Sequence, residues 1–234
     1  MFDVSIIIPA YKEEERLAAS LQKINEYFSS HNYNYEIIVV DDGSKDKTSE
    51  IAQSFPKVKV LIQEVNKGKG AAVRRGMLES TGKFRLFTDA DLSTPIYEFE
   101  KLYKQFNNGF DVVIGSRALD YSMIKVHQPF YRELMGKTFN KIVQLLVVKG
   151  ISDTQCGFKA MSSQAAVEIF SKCKIDGFGF DVEMLFLADK YKYKIKEISV
   201  EWYNDDRSKV DPIKDSIKMF LEILRIRKIH KKNG

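Results

Sequence analysis

Two carboxylates, Asp89 and Asp91, stand one residue apart directly after an apolar stretch of the sequence. Oxygen ligands this close together suit a divalent cation such as Mg²⁺ or Mn²⁺ that holds a diphosphate. Without a cation the two charges would repel each other, and each group would resist ionisation. The alternative is that Asp91 caps the following helix while Asp89 is solvated. We predict a metal site with these two ligands.

Polar residues also follow the first two predicted strands. They are Pro9-Ala10-Tyr11-Lys12-Glu13 and Asp41-Asp42-Gly43-Ser44. Ligands of open parallel sheets bind beyond the carboxyl ends of the strands, so both segments are candidate binding loops. The alternative is ordinary turn chemistry, because Asp, Gly and Ser also cap helices and close such loops. For the second segment the two interpretations are equally good.

A basic, glycine-rich segment lies between these loops and the aspartate pair, at Asn66-Lys67-Gly68-Lys69-Gly70. Glycines let a backbone approach a phosphate, and lysines supply positive charge. The spacing is not that of a Walker A loop, so the segment is a weak signal by itself. A solvated loop is an equally good interpretation for Lys67, and Arg74 and Arg75 are typical of a helix surface.

The elements that must position these residues follow from hydrophobic periodicity. Apolar runs predict strands near 4–9, 35–40, 58–62, 84–88 and 111–115, separated by helical patterns near 17–28, 45–54, 70–80 and 95–106. The later part of the chain predicts helices near 129–148, 163–172 and 180–191, an irregular segment around 153–159, a strand at 195–202 and a helix at 213–230. Strands alternating with helices predict an α/β protein with a parallel sheet covered by helices.

Composition bounds the class of protein. The 234 residues are 44% hydrophobic and 29% charged, which excludes disordered, collagen-like and disulfide-scaffold proteins. The two cysteines, Cys156 and Cys173, lack the spacing of a zinc site. No apolar run approaches the roughly 18 residues of a membrane span, and the first residues lack the features of a secretory signal. We expect one domain in the cytoplasm.

Charge is concentrated near the C-terminus. Residues 213–232 contain seven basic and two acidic side chains, so this segment alone accounts for the net charge of +5 of the whole chain. The remainder is neutral overall, which predicts a protein that does not bind nucleic acid.

The motifs in this order resemble the family-2 inverting glycosyltransferases of GT-A type. The matching segments are VSIIIPAYKEEERL, VVDDGSKDKT, NKGKGAAVRRGM and FTDADLSTP. Five more, GSRAL, YREL, DTQCGFKAM, FGFDVEML and RSKV, resemble the subset that glycosylates polyprenyl phosphates, above all dolichyl-phosphate β-glucosyltransferases and then dolichyl-phosphate mannose synthases. The resemblance implies one GT-A domain over 1–212, with a Rossmann-like, mostly parallel sheet, a nucleotide-sugar half (1–118) and an acceptor half (119–212), followed by a basic amphipathic helix at 213–234.

The resemblance also implies a role for each matching residue. Pro9, Tyr11, Glu13 and Asp41 would hold the nucleoside, with Lys67 or Lys69 nearby, and Asp89 and Asp91 would flank the diphosphate, Asp91 being the stronger metal ligand. Arg117 and Arg132 would bind anionic groups of donor and acceptor, and Lys209 would close over the donor. The other substrate-binding positions in the matching motifs are Ala10, Asp42, Gly43, Ala90, Asp153 and Gln155. The alternatives are a surface salt bridge for Arg117 and an ordinary loop lysine for Lys209.

The implied reaction is inverting transfer of a hexose, with glucose from UDP-glucose favoured, to a polyprenyl or dolichyl phosphate. Such an acceptor is already ionised at neutral pH and needs cations to position it more than a general base. If the acceptor is a hydroxyl of a soluble glycan, Asp181 or Glu183 is the candidate base; otherwise Asp181 is a supporting residue or a helix cap. A module that binds nucleotide sugars without turnover is the third interpretation.

Two amphipathic stripes are candidates for contact with a membrane. The first lies on the predicted C-terminal helix and consists of Ile213, Ile217, Phe220, Leu221, Leu224 and Ile226. The second lies within 123–149 and consists of Phe130, Leu134, Phe139, Val143 and Leu146. Apolar stripes beside basic residues predict peripheral binding to the cytoplasmic surface of a membrane. Alternatively, both stripes face the core or the partner in a homodimer.

Overall fold

The computed structural model describes residues 2–205, 207 and 214–231. Within these residues the chain forms nine strands and eight α-helices. The strands are β1 (Val4–Ala10), β2 (Tyr35–Asp41), β3 (Val58–Ile62), β4 (Phe84–Thr88), β5 (Val112–Ser116), β6 (Ile124–Val126), β7 (Phe158–Ser162), β8 (Ile195–Ser199) and β9 (Trp202–Tyr203). The helices are α1 (Leu17–Ser30), α2 (Thr48–Gln53), α3 (Lys69–Glu79), α4 (Phe99–Asn107), α5 (Phe130–Leu146), α6 (Ser163–Lys172), α7 (Phe180–Lys190) and α8 (Lys214–His230).

Seven strands form one sheet in the order β3-β2-β1-β4-β7-β5-β8. Its neighbouring strands are parallel except where β7 runs antiparallel between β4 and β5. Strands β1, β2 and β4 are mutually parallel neighbours, so the three polar segments that follow them meet at one edge of the sheet. The predicted α/β class with a mostly parallel sheet is confirmed, and β3 and β8 form its two outer edges.

Helices cover both faces of the sheet because the central strands are apolar at successive positions. In β1, Ile6 and Ile8 pack in a cluster with Leu17 of α1, whereas Ile7 packs in a second cluster with Val73 of α3. All three isoleucines are fully buried. Side chains alternate between the faces of a strand, so an unbroken apolar run is what a sheet covered on both sides requires.

The structure corrects two predicted boundaries. The segment expected to be irregular, 153–159, ends within strand β7, which the sequence did not predict because the buried Lys159 interrupts its apolar run. The single strand expected at 195–202 is two strands, because the chain leaves the large sheet after Ser199 and β9 then pairs with the short β6. A three-residue strand such as β6 has too few positions to show a period in sequence.

The predicted stripe on the C-terminal helix is exposed, with one exception. Ile217, Phe220, Leu221 and Leu224 are exposed, but Ile226 is fully buried against the body of the protein. Met219 and Ile223 lie on the same buried face and belong to the core cluster that contains α7. Ile213 lies outside the described residues. Helix α8 therefore has one face in the core and one face in solvent.

Helix α5 divides the second stripe in the same way. Phe139 and Val143 are buried, whereas Phe130, Leu134 and Leu146 are exposed. Across the ranges that the structure describes, none of the helices is both long enough and apolar enough to span a bilayer.

Candidate functional site

An open cavity of about 280 Å³ lies at the carboxyl edge of the sheet. The predicted site residues that line it are Asp89, Asp91, Arg117, Arg132, Gln155 and Asp181, with Lys69 beside them. They come from strand ends, from α5 and from α7, so residues distant in sequence share one space. The structure thus brings together the five residues predicted to be catalytic.

Lys69, the first residue of α3, supplies a fixed positive charge beside Asp89. Its Nζ lies 2.6 Å from Asp89 Oδ1. Burial opposes the charge on the lysine, but the carboxylates of Asp89 and Asp181 outweigh it and raise the pKa of Lys69. A Cβ atom at Gly157 would overlap the Asp89 carboxylate, so a glycine is required where β7 begins. The basic, glycine-rich segment, a weak signal in the sequence, therefore contributes the charged residue Lys69 to the cavity.

Asp91 lies in the cavity with its carboxylate partly held by the backbone. Its Oδ1 accepts a hydrogen bond of 2.9 Å from the backbone N–H of Ser93. Burial and then the neighbouring Asp89 raise the pKa of Asp91, because both disfavour its charged form. The next helical turn begins after Pro95, so Asp91 is not the helix cap of the alternative interpretation. A cation bound beside Asp91 would stabilise the charged form of this carboxylate.

The two aspartates fit a divalent cation that is bound together with a substrate. Their side chains are 34% and 19% exposed, so oxygen atoms of both remain accessible. In the part of the chain that the structure describes, no cluster of three or more His, Cys, Asp or Glu side chains forms a cage for a metal. Mg²⁺ is usually held by one or two carboxylates plus substrate phosphates, and this donor set matches that arrangement.

Arg16 joins three carboxylates at the edge of the site, and no sequence signal singles it out. Its guanidinium forms two hydrogen bonds with Glu13, one of them at 2.9 Å, and Nη1 lies 3.2 Å from Asp205 and 3.5 Å from Asp91. In EEERL an arginine reads as one more exposed charge at the start of a helix. Glu13, predicted to hold the nucleoside, is therefore an ion-pair partner within the protein.

The loops after β1 and β2 lie side by side. Pro9 and Ala10 pair with Val40 and Asp41 in the sheet, and Tyr11 follows, half-buried. The adjacent turn continues through Gly43, where Asp41 Oδ1 accepts from the backbone N–H of Ser44 at 3.0 Å.

Asp42 shapes the basic loop. Its carboxylate accepts hydrogen bonds from Gln63 Nε2 (2.6 Å) and from the backbone N–H groups of Lys67 (2.7 Å) and Gly68 (2.8 Å). Burial raises the pKa of Asp42. Both oxygens are used inside the protein, which supports turn chemistry for this residue. The Lys67 side chain is exposed.

Arg117 is held by a buried carboxylate rather than by a surface partner. Asp153 accepts from Arg117 Nε at 2.7 Å and from Nη2 at 2.9 Å. Burial opposes ionisation of Asp153, but Arg117 outweighs it and lowers the pKa to about 2. Glu197 of β8 accepts from the backbone N–H groups of Ser152 and Asp153 and fixes that loop. The surface-salt-bridge interpretation of Arg117 is wrong, since Asp153 is almost fully buried.

Arg132 of α5 lines the cavity and has a buried donor for which the described part of the chain offers no partner. Its Nε is buried and has no hydrogen-bond partner within the described residues. A buried N–H without a partner costs free energy unless a ligand accepts from it. An anionic group entering the cavity is such an acceptor.

Asp181 of α7 pairs with a lysine that the sequence did not identify. Lys159 is fully buried on β7, and its Nζ donates to Asp181 and to the carbonyl of Cys156, the latter at 2.6 Å. Burial raises the pKa of Asp181, although Lys159 and Lys69 favour its charged form. Gly179, not Asp181, occupies the N-cap of α7. The helix-cap interpretation is therefore wrong.

Glu183 lies outside the cavity. Its carboxylate accepts from the backbone N–H groups of Lys174 and Ile175, at 2.9 and 2.8 Å, and contacts His230 of α8. It is fully buried. The second candidate base is thus enclosed in the protein.

Part of the cavity lining is apolar. Met135 and Phe139 of α5 and Met219 of α8 contribute to it. Gln155 Nε2 lies 2.8 Å from the Sδ atom of Met219. Ala90 is buried, and its carbonyl accepts from Ser20 Oγ at 2.6 Å. Lys209 lies outside the described residues.

Comparison with known proteins gives one consistent result. Residues 5–170, more than half of the chain, match the glycosyl transferase family 2. The dolichyl-phosphate beta-glucosyltransferase of Dictyostelium discoideum is 39% identical over 240 residues, covering 96% of this chain and 73% of that protein. The human protein of the same name is 36% identical, covering 96% and 74%. Glucosyl-3-phosphoglycerate synthase from Mycobacterium tuberculosis, solved with Mg²⁺ and UDP, has a TM-score of 0.72 at 17% identity, covering 96% and 79%, and shares the fold.

Proposed function

Because this chain belongs to glycosyl transferase family 2, as its motifs predicted, we propose that it transfers glucose from UDP-glucose to dolichyl phosphate or a related polyprenyl phosphate. The observation that carries the proposal is one cavity in which Arg117 and Arg132 lie with the aspartate pair and an apolar wall. Relatives named as dolichyl-phosphate beta-glucosyltransferases support the choice of sugar and acceptor. UDP is the donor nucleotide inferred from that likeness.

The reaction exchanges one C–O bond for another at the anomeric carbon. An oxygen of the acceptor phosphate forms the new bond, and the bond from C1 to the β-phosphate oxygen breaks, with its electron pair leaving on UDP. Attack from the side opposite the leaving group inverts the configuration. No proton has to move, since the acceptor oxygen is already ionised at neutral pH.

Stabilising the departing diphosphate is the main electrostatic requirement. Lys69 provides a positive charge that is held in place by Asp89. A divalent cation held by Asp91, with Asp89 beside it, would act when bound as a Lewis acid for the leaving group. The Mg²⁺ and UDP in the solved structure of the same fold support this assignment.

The two arginines orient the acceptor. Arg117 is fixed by Asp153 and lies 5.4 Å from the centre of the Trp202 ring, whereas Arg132 presents an unpaired Nε. Guanidinium N–H groups form charge-assisted hydrogen bonds with phosphate oxygens, which would position the nucleophile toward C1. Met135, Phe139 and Met219 then accommodate the first apolar part of the lipid.

A hydroxyl acceptor fits the site less well. It requires a base, and Asp181 is already engaged by Lys159, while Glu183 is enclosed outside the cavity. We assign Asp181 a supporting role, in which its charge holds Lys159 and contributes to the field around Lys69.

The exposed stripes of α5 and α8 form the surface that we assign to the membrane. Both helices also line the cavity, through Met135 and Met219, so a lipid-borne phosphate at a membrane surface is near the site. Arg225, Arg227 and Lys228 are exposed on α8 and would favour the anionic cytoplasmic leaflet. The alternative is that a second copy of the chain covers this surface.

A donor and acceptor screen tests the function. Purified protein with Mg²⁺ and a short polyprenyl phosphate should release nucleoside diphosphate from UDP-glucose faster than from GDP-mannose. Release only with a soluble sugar acceptor would support the hydroxyl alternative. Binding of UDP-glucose without any turnover would support the non-catalytic module.

A further inference from the structure

Helix α8 holds the loop before α7 through a carboxylate. Glu222 Oε2 accepts a hydrogen bond of 3.0 Å from the backbone N–H of Gly179. A Cβ atom at Gly179 would lie 2.8 Å from the same oxygen, and one at Gly177 would overlap Oε1. The two glycines leave the space that the carboxylate fills, so the loop 174–179 and α8 are in direct contact.

The start of the same loop is also tied to α8. His230 Nε2 lies 2.6 Å from Glu183 Oε1, and both side chains are buried. Glu183 in turn accepts from the backbone N–H groups of Lys174 and Ile175. One helix therefore fixes the loop at both of its ends, directly through Glu222 and indirectly through His230.

The opposite side of the loop contacts the first turn of α3. The carbonyl of Asp176 accepts from the backbone N–H of Ala71 at 3.2 Å, and the Asp176 side chain lies 2.6 Å from Arg74. A Cβ atom at Gly70 would lie 2.6 Å from the carbonyl of Ile175. Backbones this close have no free space between them, so a shift of the loop moves the helix start.

Lys69 is the residue that such a shift displaces. It begins α3 and holds Asp89 at 2.6 Å. We infer that Glu222 is a positioning residue, which sets Lys69 for the donor diphosphate through loop 174–179. The inference rests on the proposed function, because it takes Lys69 and Asp89 as the donor site.

Binding of UDP in the presence of Mn²⁺ to the full chain, measured by calorimetry, tests the inference. Glu222→Ala should weaken binding by about tenfold, the effect of one lost hydrogen bond. Glu222→Gln keeps an acceptor oxygen and should restore binding to within about threefold of the parent. Lys218→Ala, at an exposed position of α8 one turn earlier, is the matched control and should bind UDP like the parent.

A double-mutant cycle distinguishes positioning from general damage. In a Lys69→Ala background, Glu222→Ala should cause no further loss of UDP affinity, because its effect acts through that lysine. Gly177→Ala introduces a Cβ atom that collides with the same carboxylate from the loop side, so it should cause the same losses of UDP affinity. This variant replaces Glu222→Ala in the cycle if Glu222→Ala does not fold. If Glu222→Ala lowers UDP affinity equally in both backgrounds, or does not lower it in the parent, the inference is overturned and the proposed function is not affected. A parent protein that does not bind UDP overturns the proposed function and this inference together.

Discussion

Arg132 differs from Arg117 and Lys69 because its buried Nε has no hydrogen-bond partner within the described residues. Arg117 has Asp153 and Lys69 has Asp89, so each of those charges is already compensated in the protein. The Arg132 donor is therefore left without an acceptor among the described residues. We therefore propose that Arg132 binds the acceptor phosphate, because Lys69 and the aspartate pair are the groups that we propose for the donor diphosphate.

Arg132→Ala should therefore raise the KM for polyprenyl phosphate by at least about tenfold, as expected for loss of a charge-assisted hydrogen bond. Binding of UDP should change little. Steady-state kinetics at varied acceptor concentration in detergent provide the measurement, and Lys141→Ala, an exposed position on the same helix, is the control. A higher KM for UDP-glucose with an unchanged acceptor KM would assign Arg132 to the donor.

Asp153 links stability to pH in a defined direction. Its folded pKa of about 2 is below the ordinary value, so its ion pair with Arg117 stabilises the protein above about pH 4 and loses that contribution as the pH falls toward 2. Asp153→Asn should cost about 3 kcal/mol at pH 7, because it breaks a buried pair. Thermal melts should show the difference from the parent shrinking between pH 4 and pH 2. A constant difference over that range would contradict the assignment.

Asp91→Asn tests the metal assignment at a single position. The fold should persist, because the carboxylate makes one backbone hydrogen bond and burial disfavours its charge. Binding of Mn²⁺ in the presence of UDP, followed by electron paramagnetic resonance, should weaken by about a hundredfold. Asp3→Asn, which lies just before β1 at the amino end of the sheet and pairs with Lys83, should leave it unchanged. Undiminished Mn²⁺ binding in the Asp91 variant would place the ligand elsewhere.

The role of a site residue was predictable from the sequence where a short motif contains that residue. It was not predictable where the role depends on a contact with a residue far away in the sequence. Asp89 and Asp91 follow one strand, and parallel topology is enough to bring them near the other strand ends. Arg16 acquires its role from Asp205, and Lys159 from Asp181, both on other elements. Neither spacing nor periodicity records such contacts, so a buried charged residue reads in sequence as a surface one.

At the level of elements, the parallel strands and their helices were predictable because each has its own apolar period. Strand β7 was not, since Lys159 interrupts its pattern and its place between β4 and β5 depends on pairing with strands far away in sequence. Helix α8 was predicted as amphipathic, but which residues face inward depends on packing. Ile226 belongs to the buried side for that reason.

The exposed stripe of α8 should govern attachment to lipid. Replacing Ile217, Leu221 and Leu224 together by serine should reduce co-sedimentation with anionic liposomes by more than about tenfold, since each side chain contributes apolar area to the bilayer interface. Val65→Ser, an exposed apolar residue outside both stripes, should bind like the parent. A fall in dimer content with unchanged liposome binding would assign the stripe to a second copy of the chain.

At the scale of the whole molecule, two apolar clusters on the two faces of one sheet carry the structure. The site lies where the sheet order places three strand ends side by side, and α8 closes it from the far end of the chain. This arrangement was predictable in outline from the alternation of strands and helices. The division of the later chain between the large sheet and the β6–β9 pair was not.

Among the described residues β3 and β8 are the outer strands of the sheet, so one side of each presents backbone groups with which another extended chain can pair. Lys59 in β3 and Lys196 in β8 are exposed at these borders. A charge at such a position discourages a neighbour from adding a strand. On the membrane surface that we propose for this protein, copies of the chain would meet more often than in solution, and these two lysines would oppose polymerisation through the sheet edges.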